Sequence, residues 1–544
     1  MSLTKLDKFL RLEDSNSMKN RDIVPIPLAR RRWNMLSYLS YWSIICLCMS
    51  TWTGAAALYD LGLNGPQALG VVIVGNALIT ALTIGNSLYG SEYHIGYSVF
   101  QRILWGTNAA WIGVLLRSIL SVVWFAAQAW VGGLCVNVML GTLSSRYLNM
   151  KNTFPESVGF RPDELVGFVI FLLVQMPLLF VKPEYFDFML ILSSVVTFVA
   201  SFALALWVCL MVGNKGDLMN APIALSRTDH AWAWIYGINT WYSGLIAGIA
   251  NQSDYARFNK RPSHSHWGTI LGVNIAGLFV PLLALFCSSS FAKKYGQTVV
   301  TPADICMQIM KDNYSPGVRA ACFFLGLCFV ISQIALSAVA NAIPGGMDLT
   351  TLMPKYINTR RGAIIVFLLA WPAQPWSYYS SGAAFLNVMS SFSVFLTPIV
   401  AMSMCEYYVV RRRMVKLADC YIRGSQSLYW YNRGINFKAI ICFILGSAPG
   451  IPGLIKAADD TVNMSQGILY FYKGGFVFQY LITFALYWIA NLIYPSEVDG
   501  RDEADYFNTF TEEERRRWNI AGADDKEEVE LDASSYEGTG KRYH

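Results

Sequence analysis

The chain has 544 residues, 54% of them hydrophobic and 14% charged, against the ~25% charge of an ordinary soluble domain, so a water-soluble globular protein is excluded. Its net charge of +6 is assigned to membrane topology rather than to nucleic acid. The 11 cysteines are scattered, mostly within apolar runs and without paired metal spacing, so they read as small packing residues and no metal or cofactor is expected.

Apolar runs near the ~20 residues that cross a bilayer recur about twelve times. They lie near 35–59, 67–90, 109–140, 165–181, 188–212, 232–251, 268–292, 317–343, 362–380, 383–410, 437–457 and 470–494. The reading is an all-α polytopic membrane protein. An inverted-repeat core has five helices in 35–212 and five in 232–410, followed by two peripheral helices in 437–494, with tails at 1–34 and 495–544.

The first tail is polar and carries no cleavable signal, which keeps it in the cytosol. Its prolines make Asn20-Arg-Asp-Ile-Val-Pro-Ile-Pro27 an extended segment, either a plain linker or a latch on the inner mouth. Arg30, Arg31 and Arg32 precede span one, Arg257, Lys260 and Arg261 follow span six, Lys355, Arg360 and Arg361 follow span eight, and Arg411, Arg412 and Arg413 follow span ten. This distribution puts those ends, and both termini, on the cytosolic side.

Span one crowds Cys48, Ser50, Thr51, Thr53 and Gly54 at its middle, and Gly54 with Ala55, Ala56 and Ala57 marks either an unwound stretch lining a cavity or a packing surface. Span three is long enough to be strongly tilted. Its Trp124 and Gln128 are four apart, which sets a flat π-surface beside an amide on one helical face. An amide in hydrocarbon is costly alone, so Gln128 faces a neighbouring helix, water or a ligand. Lys182, Glu184 and Asp187 are expected to be solvated in the short cytosolic connection between spans four and five. Span six, with Tyr236, Asn239, Gly244 and Gly248, mirrors span one and is expected to be the second interrupted helix.

Span eight carries Ser332, Gln333, Ser337 and Asn341, a second buried amide that argues for a polar cavity. Trp371-Pro372, Pro375-Trp376 and Thr397-Pro398 bend spans nine and ten. Asp254, Asp348 and Glu406 stand near the inner ends of their spans, as carriers of a coupling proton or as solvated, helix-capping charges. The acidic tail after Pro495 is expected to be disordered. With 5 histidines and no paired catalytic motif, an enzyme is set aside, whereas a ligand-binding sensor that does not transport stays open.

Five motifs run in order from residue 20 to the end of span ten. They are Asn20-Arg-Asp-Ile-Val-Pro with Arg32-Trp33, Trp124-Phe-x-x-Gln128-x-Trp130, Ala340-Asn341, Met347-Asp-Leu-Thr-x-Leu-Met-Pro-Lys-Tyr-Ile-Asn-x-Arg360-Arg-Gly362, and Glu406-Tyr-Tyr-x-Val-Arg411-Arg412. Together they resemble the first nucleobase–cation symporter family in its fungal branch of uracil, uridine, allantoin and thiamine permeases.

The resemblance implies that Trp124 stacks on a substrate ring while Gln128 and Asn341 bond its edge, with Cys48, Trp130, Gly244 and Leu245 as neighbours. Cys48 stands where a relative has glutamine, and Leu245 where it has tryptophan. A sodium-coupled relative uses adjacent serine and threonine hydroxyls where this chain has Ala335-Leu336, which favours proton coupling, with Ser332, Ser337, Asp254, Asp348 and Glu406 as candidates. The segments 129–135 and 251–258 are similar to the thiamine and nicotinamide riboside group, whereas Trp124 and Gln128 are similar to the nucleobase and allantoin permeases. The implied function is import of a small planar nitrogen heterocycle across the plasma membrane by proton symport and alternating access, with the lipid bilayer as the surrounding partner and no nucleic acid.

Overall fold

The computed structural model describes residues 9–522 apart from 14, 214, 299–300, 380–381 and 460. Within them every regular element is helical, and extended contacts are single bridges such as Trp33 with Asn259 and Ala504 with Ala521. In chain order the elements used below are α1 (Met35–Cys46), α2 (Met49–Ala57), α3 (Gly65–Tyr93), α4 (Tyr97–Trp105), α5 (Trp111–Leu143), α6 (Pro162–Gln175), α7 (Asp187–Val212), α8 (Arg227–Ala256), α9 (Pro262–Leu271), α10 (Gly277–Tyr295), α11 (Pro302–Asp312), α12 (Pro316–Leu336), α13 (Ile343–Leu352), α14 (Thr359–Leu369), α15 (Gly382–Met404), α16 (Phe437–Ser447), α17 (Ile451–Ala458), α18 (Gln466–Lys473), α19 (Gly475–Ile493) and α20 (Glu512–Trp518).

Among the described residues nine runs are long and apolar enough to cross a membrane, and the bent α1–α2 pair makes ten. The two remaining spans are also helical. The 30-residue α8 is long but rich in polar side chains, and α14 stops after 11 residues, where Trp371-Pro372 and Pro375 remove backbone donors. The count is consistent with twelve. At ~1.5 Å per residue the 33-residue α5 reaches roughly 50 Å, well beyond a ~30 Å hydrocarbon layer.

Span one breaks by 51°, but at Leu47 and Cys48 rather than at Gly54 and the alanines. Cys48 is extended (φ −85°, ψ 166°), and the side chains around the break replace the lost helical bonds. Thr51 Oγ1 donates to the Ile45 carbonyl at 3.3 Å, and Cys48 Sγ lies 3.3 Å from the same hydroxyl. The alanines carry no such groups, so that stretch stays helical. Span six is not interrupted at all: α8 is continuous, and its glycines serve close approach instead. A Cβ on Gly248 would stand 3.0 Å from the Trp42 ring, and one on Gly237 would stand 3.1 Å from Val71. The irregular backbone of the second half appears instead as π-helical turns at Gly272–Ala276, Ser337–Ala342 and Cys405–Val410.

Helices α3 and α8 form the central seam. Gly75 meets the Trp241 ring, Trp241 Nε1 donates to Asn76 Oδ1 at 2.9 Å, and Asn86 Nδ2 donates to the Ile249 carbonyl at 2.9 Å. Helices α5 and α6 press backbone to backbone at Gly133, where an added Cβ would stand 2.6 Å from the backbone of Phe168.

The N-terminal segment is docked, as a latch would be. Asn20 Nδ2 donates to the carbonyls of Pro354 and Ile357, Asp22 Oδ2 accepts from Thr359 N–H at 2.9 Å, and Ile26 N–H donates to His94 O. Glu184 is not solvated: it is 4% exposed and accepts two bonds from Arg30, at 2.9 and 3.2 Å.

The acidic tail is likewise ordered as far as it is described, while 523–544 lies outside the described residues. Trp518 stacks on Tyr93 at 5.5 Å, Arg31 donates to the Thr509 carbonyl, and Glu514 Oε2 accepts from Arg31 at 3.2 Å. Acidic composition does not disorder this stretch because aromatic rings and buried cations receive it. Burial acts to raise Glu514, but His94, Arg31 and the Thr511 N–H outweigh it and bring the carboxyl down to about 2.

Two outcomes follow from this packing. Gly133→Leu has no room against Phe168 and is expected to lower the melting temperature in detergent by the equivalent of about 3 kcal/mol or more. Asp502, whose Oδ2 accepts from Ala418 N–H at 3.0 Å, is pushed up by burial to about 7. Between about pH 4 and 7 it is protonated in the docked tail and ionised in a free one, so docking is strongest on the acid side, weakens by up to roughly 4 kcal/mol as pH rises from about 4 to about 7, and changes little above that. Hydrogen exchange across 497–518, corrected for the intrinsic rate at each pH, should accelerate between about pH 4.5 and 7, where Glu514 stays ionised, and Asp502→Asn should flatten that profile.

Candidate functional site

Where α1 breaks, α5, α8, the Ser337–Ala342 turn and α15 leave a hollow with about 700 Å³ of empty space, the part open to solvent included. Each wall follows from local sequence. Cys48 caps α2, so Ser50 and Thr51 of its first turn face the hollow. Trp124 and Gln128 come together on α5 as their four-residue spacing requires. Gly244 and Leu245 lie on α8, and Asn341 sits in the π-helical turn, a backbone irregularity common at functional positions.

Six of the seven residues expected at the substrate therefore line one hollow: Cys48, Trp124, Gln128, Gly244, Leu245 and Asn341. Trp130 does not. Two residues beyond Gln128, it points roughly 200° away around α5, into a ring cluster with Phe160, Phe168 and Trp376 at 6.0, 5.6 and 5.8 Å. Tyr41, Trp241, Phe385 and Met389 complete the wall and were not singled out from sequence as substrate neighbours. Their signal was weak, since an aromatic or Met on a membrane span is ordinarily packing.

The hydrogen bonding of the wall is incomplete. Gln128 Nε2 donates to Ser50 Oγ at 2.9 Å, and Ser50 Oγ lies 2.8 Å from Tyr379 OH. Gln128 Oε1, Trp124 Nε1 and Tyr41 OH are buried and have no partner among the described residues. Asn341 Nδ2 reaches only the Leu336 carbonyl, at 3.5 Å. An amide oxygen open to an N–H and an indole N–H open to a carbonyl, beside aromatic faces, suit the edge and face of a polar heterocycle. No charged side chain stands in the described wall.

Beyond the hollow lies a group of charges. Arg117, seven residues before Trp124 on α5, places Nη2 2.5 Å from Asp348 Oδ2 and 3.3 Å from Asp254 Oδ2, and donates to the Pro344 carbonyl at 2.9 Å. Asp254 Oδ1 accepts from Tyr97 N–H at 2.8 Å, and the guanidinium lies 5.2 Å from the Tyr97 ring. All three charged side chains are at most 1% exposed, so Asp254 and Asp348 are neither solvated nor free caps. Arg257 adjoins the same group, its Nε donating to the Asp254 carbonyl at 3.2 Å, so two cations and two carboxylates are buried together, with Arg117 shared between both acids. Arg117 was readable: an arginine inside an apolar span is a functional signal by default.

Glu406 is also buried but lies apart. Arg411 pairs with it at 2.8 Å, and Tyr487 OH donates to its other oxygen at 2.9 Å, so its charge is already matched. Ser332 and Ser337 are buried with unpartnered hydroxyls and lie off the described wall.

Residues 25–483 match the model of a family described as permeases for cytosine/purines, uracil, thiamine and allantoin. The chain is 33% identical over 520 residues to the thiamine transporter THI72 of Saccharomyces cerevisiae, covering 95% of this chain and 86% of that one. It is 32% identical over 520 residues to the nicotinamide riboside transporter 1 of the same organism, covering 95% and 87%. Among solved structures, Mhp1, a nucleobase-cation-symport-1 family transporter in a closed conformation with bromovinylhydantoin bound, shares the fold at a TM-score of 0.69 and 17% identity, covering 92% of this chain and 99% of that one.

Arg117→Met is expected to leave two buried carboxylates unanswered and cost about 3–5 kcal/mol, read as a lower melting temperature in detergent. Adding Asp348→Asn to that variant should restore part of the loss, and an unchanged melting point in the single variant would refute the charge assignment.

Proposed function

The chain belongs to the family of permeases for cytosine/purines, uracil, thiamine and allantoin, and from that footing we propose that it carries a small planar nitrogen heterocycle inward across the plasma membrane by proton symport, with both tails in the cytosol. It is a multi-pass transporter and not an enzyme. The observation that carries the substrate reading is the set of unanswered polar atoms on an aromatic wall. Trp124 stacks on the ring, Gln128 Oε1 accepts an N–H from its edge, and Asn341 bonds the edge from the π-helical turn. Cys48, Gly244 and Leu245 set the shape of the pocket. A ring without matching edge groups leaves buried amides unpaired, which is the source of selection.

The coupling proton rides on the Arg117 cluster, on Asp348 or Asp254, two acids that share one guanidinium nitrogen. Helix α13, which carries Asp348, continues directly from the turn that carries Asn341, so proton and ring act on one element. Ala335-Leu336 offers no side-chain oxygen, which disfavours sodium. The inward path follows from the halves 35–212 and 232–410 opening alternately around the hollow.

A second reading is favoured by the 33% and 32% identities to the thiamine and nicotinamide riboside transporters: the cargo is a ring cation of that kind. Tyr41, Trp124, Trp241 and Phe385 then hold it through cation–π attraction without a carboxylate.

Uptake of labelled uracil, allantoin, thiamine and nicotinamide riboside by cells lacking their own carriers separates the two. Concentrative uptake of one of them, faster in acidic medium and indifferent to sodium, is expected. Trp124→Ala and Asn341→Ala should each weaken binding about tenfold or more while reaching the cell surface. Uptake of none of the four defeats the proposal, binding without accumulation makes the protein a sensor, and sodium dependence removes the proton.

A further inference from the structure

A second hollow, of about 1430 Å³ with the part open to solvent included, lies beside the N-terminal segment. It is bounded by the N-terminal segment, the 179–183 turn, α13 and the start of α14. Its described wall sets seven cationic side chains against two carboxylates, Glu13 and Asp22, and Asp22 is already engaged by Thr359 N–H. Of the cations, Arg30 is matched by Glu184 at 2.9 Å. Arg361 donates only to the carbonyls of Leu10 and Tyr356. Arg11, Arg21 and Arg360 are exposed and make no side-chain hydrogen bond or ion pair among the described residues, and Lys182 lies beside a glutamate that Arg30 occupies.

At the inner end stands Arg257, 3% exposed. Its donors go to the carbonyls of Asp22 and Asp254 and to the Met347 thioether, and among the described residues it touches no carboxylate directly, the Asp254 side chain standing nearby but turned to Arg117 and the Tyr97 N–H. A guanidinium is rarely left buried this way.

We infer that this hollow binds a phosphate-bearing anion, a phosphate monoester or polyphosphate, presented either by a lipid headgroup or by a free phosphate compound. The cations come from four separate stretches of chain and repel one another, and an anion with several oxygens and more than one charge is what lets them converge. Planar guanidinium forks match phosphate oxygens two at a time. Cationic residues on this face also serve membrane topology, but that role places them individually along the interface and does not require them to share a hollow ending on a buried arginine whose donors meet no carboxylate. The bound anion bridges Arg11 and Arg21 to Arg360, and so pins the N-terminal segment against the start of α14. This site is independent of what the central hollow carries.

The full chain in detergent, titrated with inorganic pyrophosphate, tests one source. The full chain in phosphatidylcholine vesicles with and without phosphatidylinositol 4-phosphate tests the other. Saturable, salt-sensitive binding in either arm is expected, weakened about tenfold by Arg21→Gln combined with Arg360→Gln and less by Arg11→Gln alone. Because these side chains are exposed, the variants should melt like the parent without ligand. Pyrophosphate binding identifies a soluble ligand, and binding confined to the phosphoinositide vesicles identifies a lipid. Absence of saturable binding in both arms overturns the site, as does binding that the double variant leaves unchanged.

Discussion

A bilayer core offers no water to a stray charge, and three charges are nonetheless buried where α5, α8 and α13 meet. Arg117 is tolerated there because Asp254 and Asp348 are, and the two acids are tolerated because of Arg117, with Arg257 and the Tyr97 N–H assisting at Asp254. The three elements are thereby tied at one depth. Helix α5 brings Trp124 and Gln128, α8 brings Gly244 and Leu245, and α13 follows the turn that holds Asn341. The hollow owes its arrangement to this junction at least as much as to the packing of its own wall. Removing one member leaves the others worse off than if all three were apolar.

Fold class was readable because apolar runs of membrane length leave little else for a chain to do. Six of the seven residues that motifs and the family resemblance singled out line the hollow. Trp130 failed for a reason of geometry that helical spacing contained, since a position two residues after Gln128 cannot share its face. Asp254 and Asp348 were visible as acids, but their burial depended on an arginine far away in sequence, and no local pattern reports a contact of that range. Tail order was missed likewise: an acidic composition describes a lone segment, and this one meets Tyr93, His94 and Arg31.

Backbone irregularity illustrates how side chains choose among equivalent stretches. Glycine and alanine at 54–57 permit a break, yet the chain opens at 47–48, where hydroxyl and thiol groups accept or donate what the helix gives up. In the second half the deviation is absorbed without a break, by widening one turn around Asn341. One half presents helix ends to the hollow and the other presents an amide on a swollen coil, so a ligand meets two unlike surfaces.

The seat of the N-terminal segment has an implication for the order of assembly. Arg31 donates to Thr509 and Glu514, and the latter is separated from it by 483 positions. During synthesis the segment emerges first, yet its partners leave the ribosome only after every span has been inserted. For most of translation the guanidinium waits without its acceptors, and the inner face closes as a late event. Completion of this contact therefore registers that the whole membrane domain has been made, which gives a maturing chain a built-in mark of having been finished.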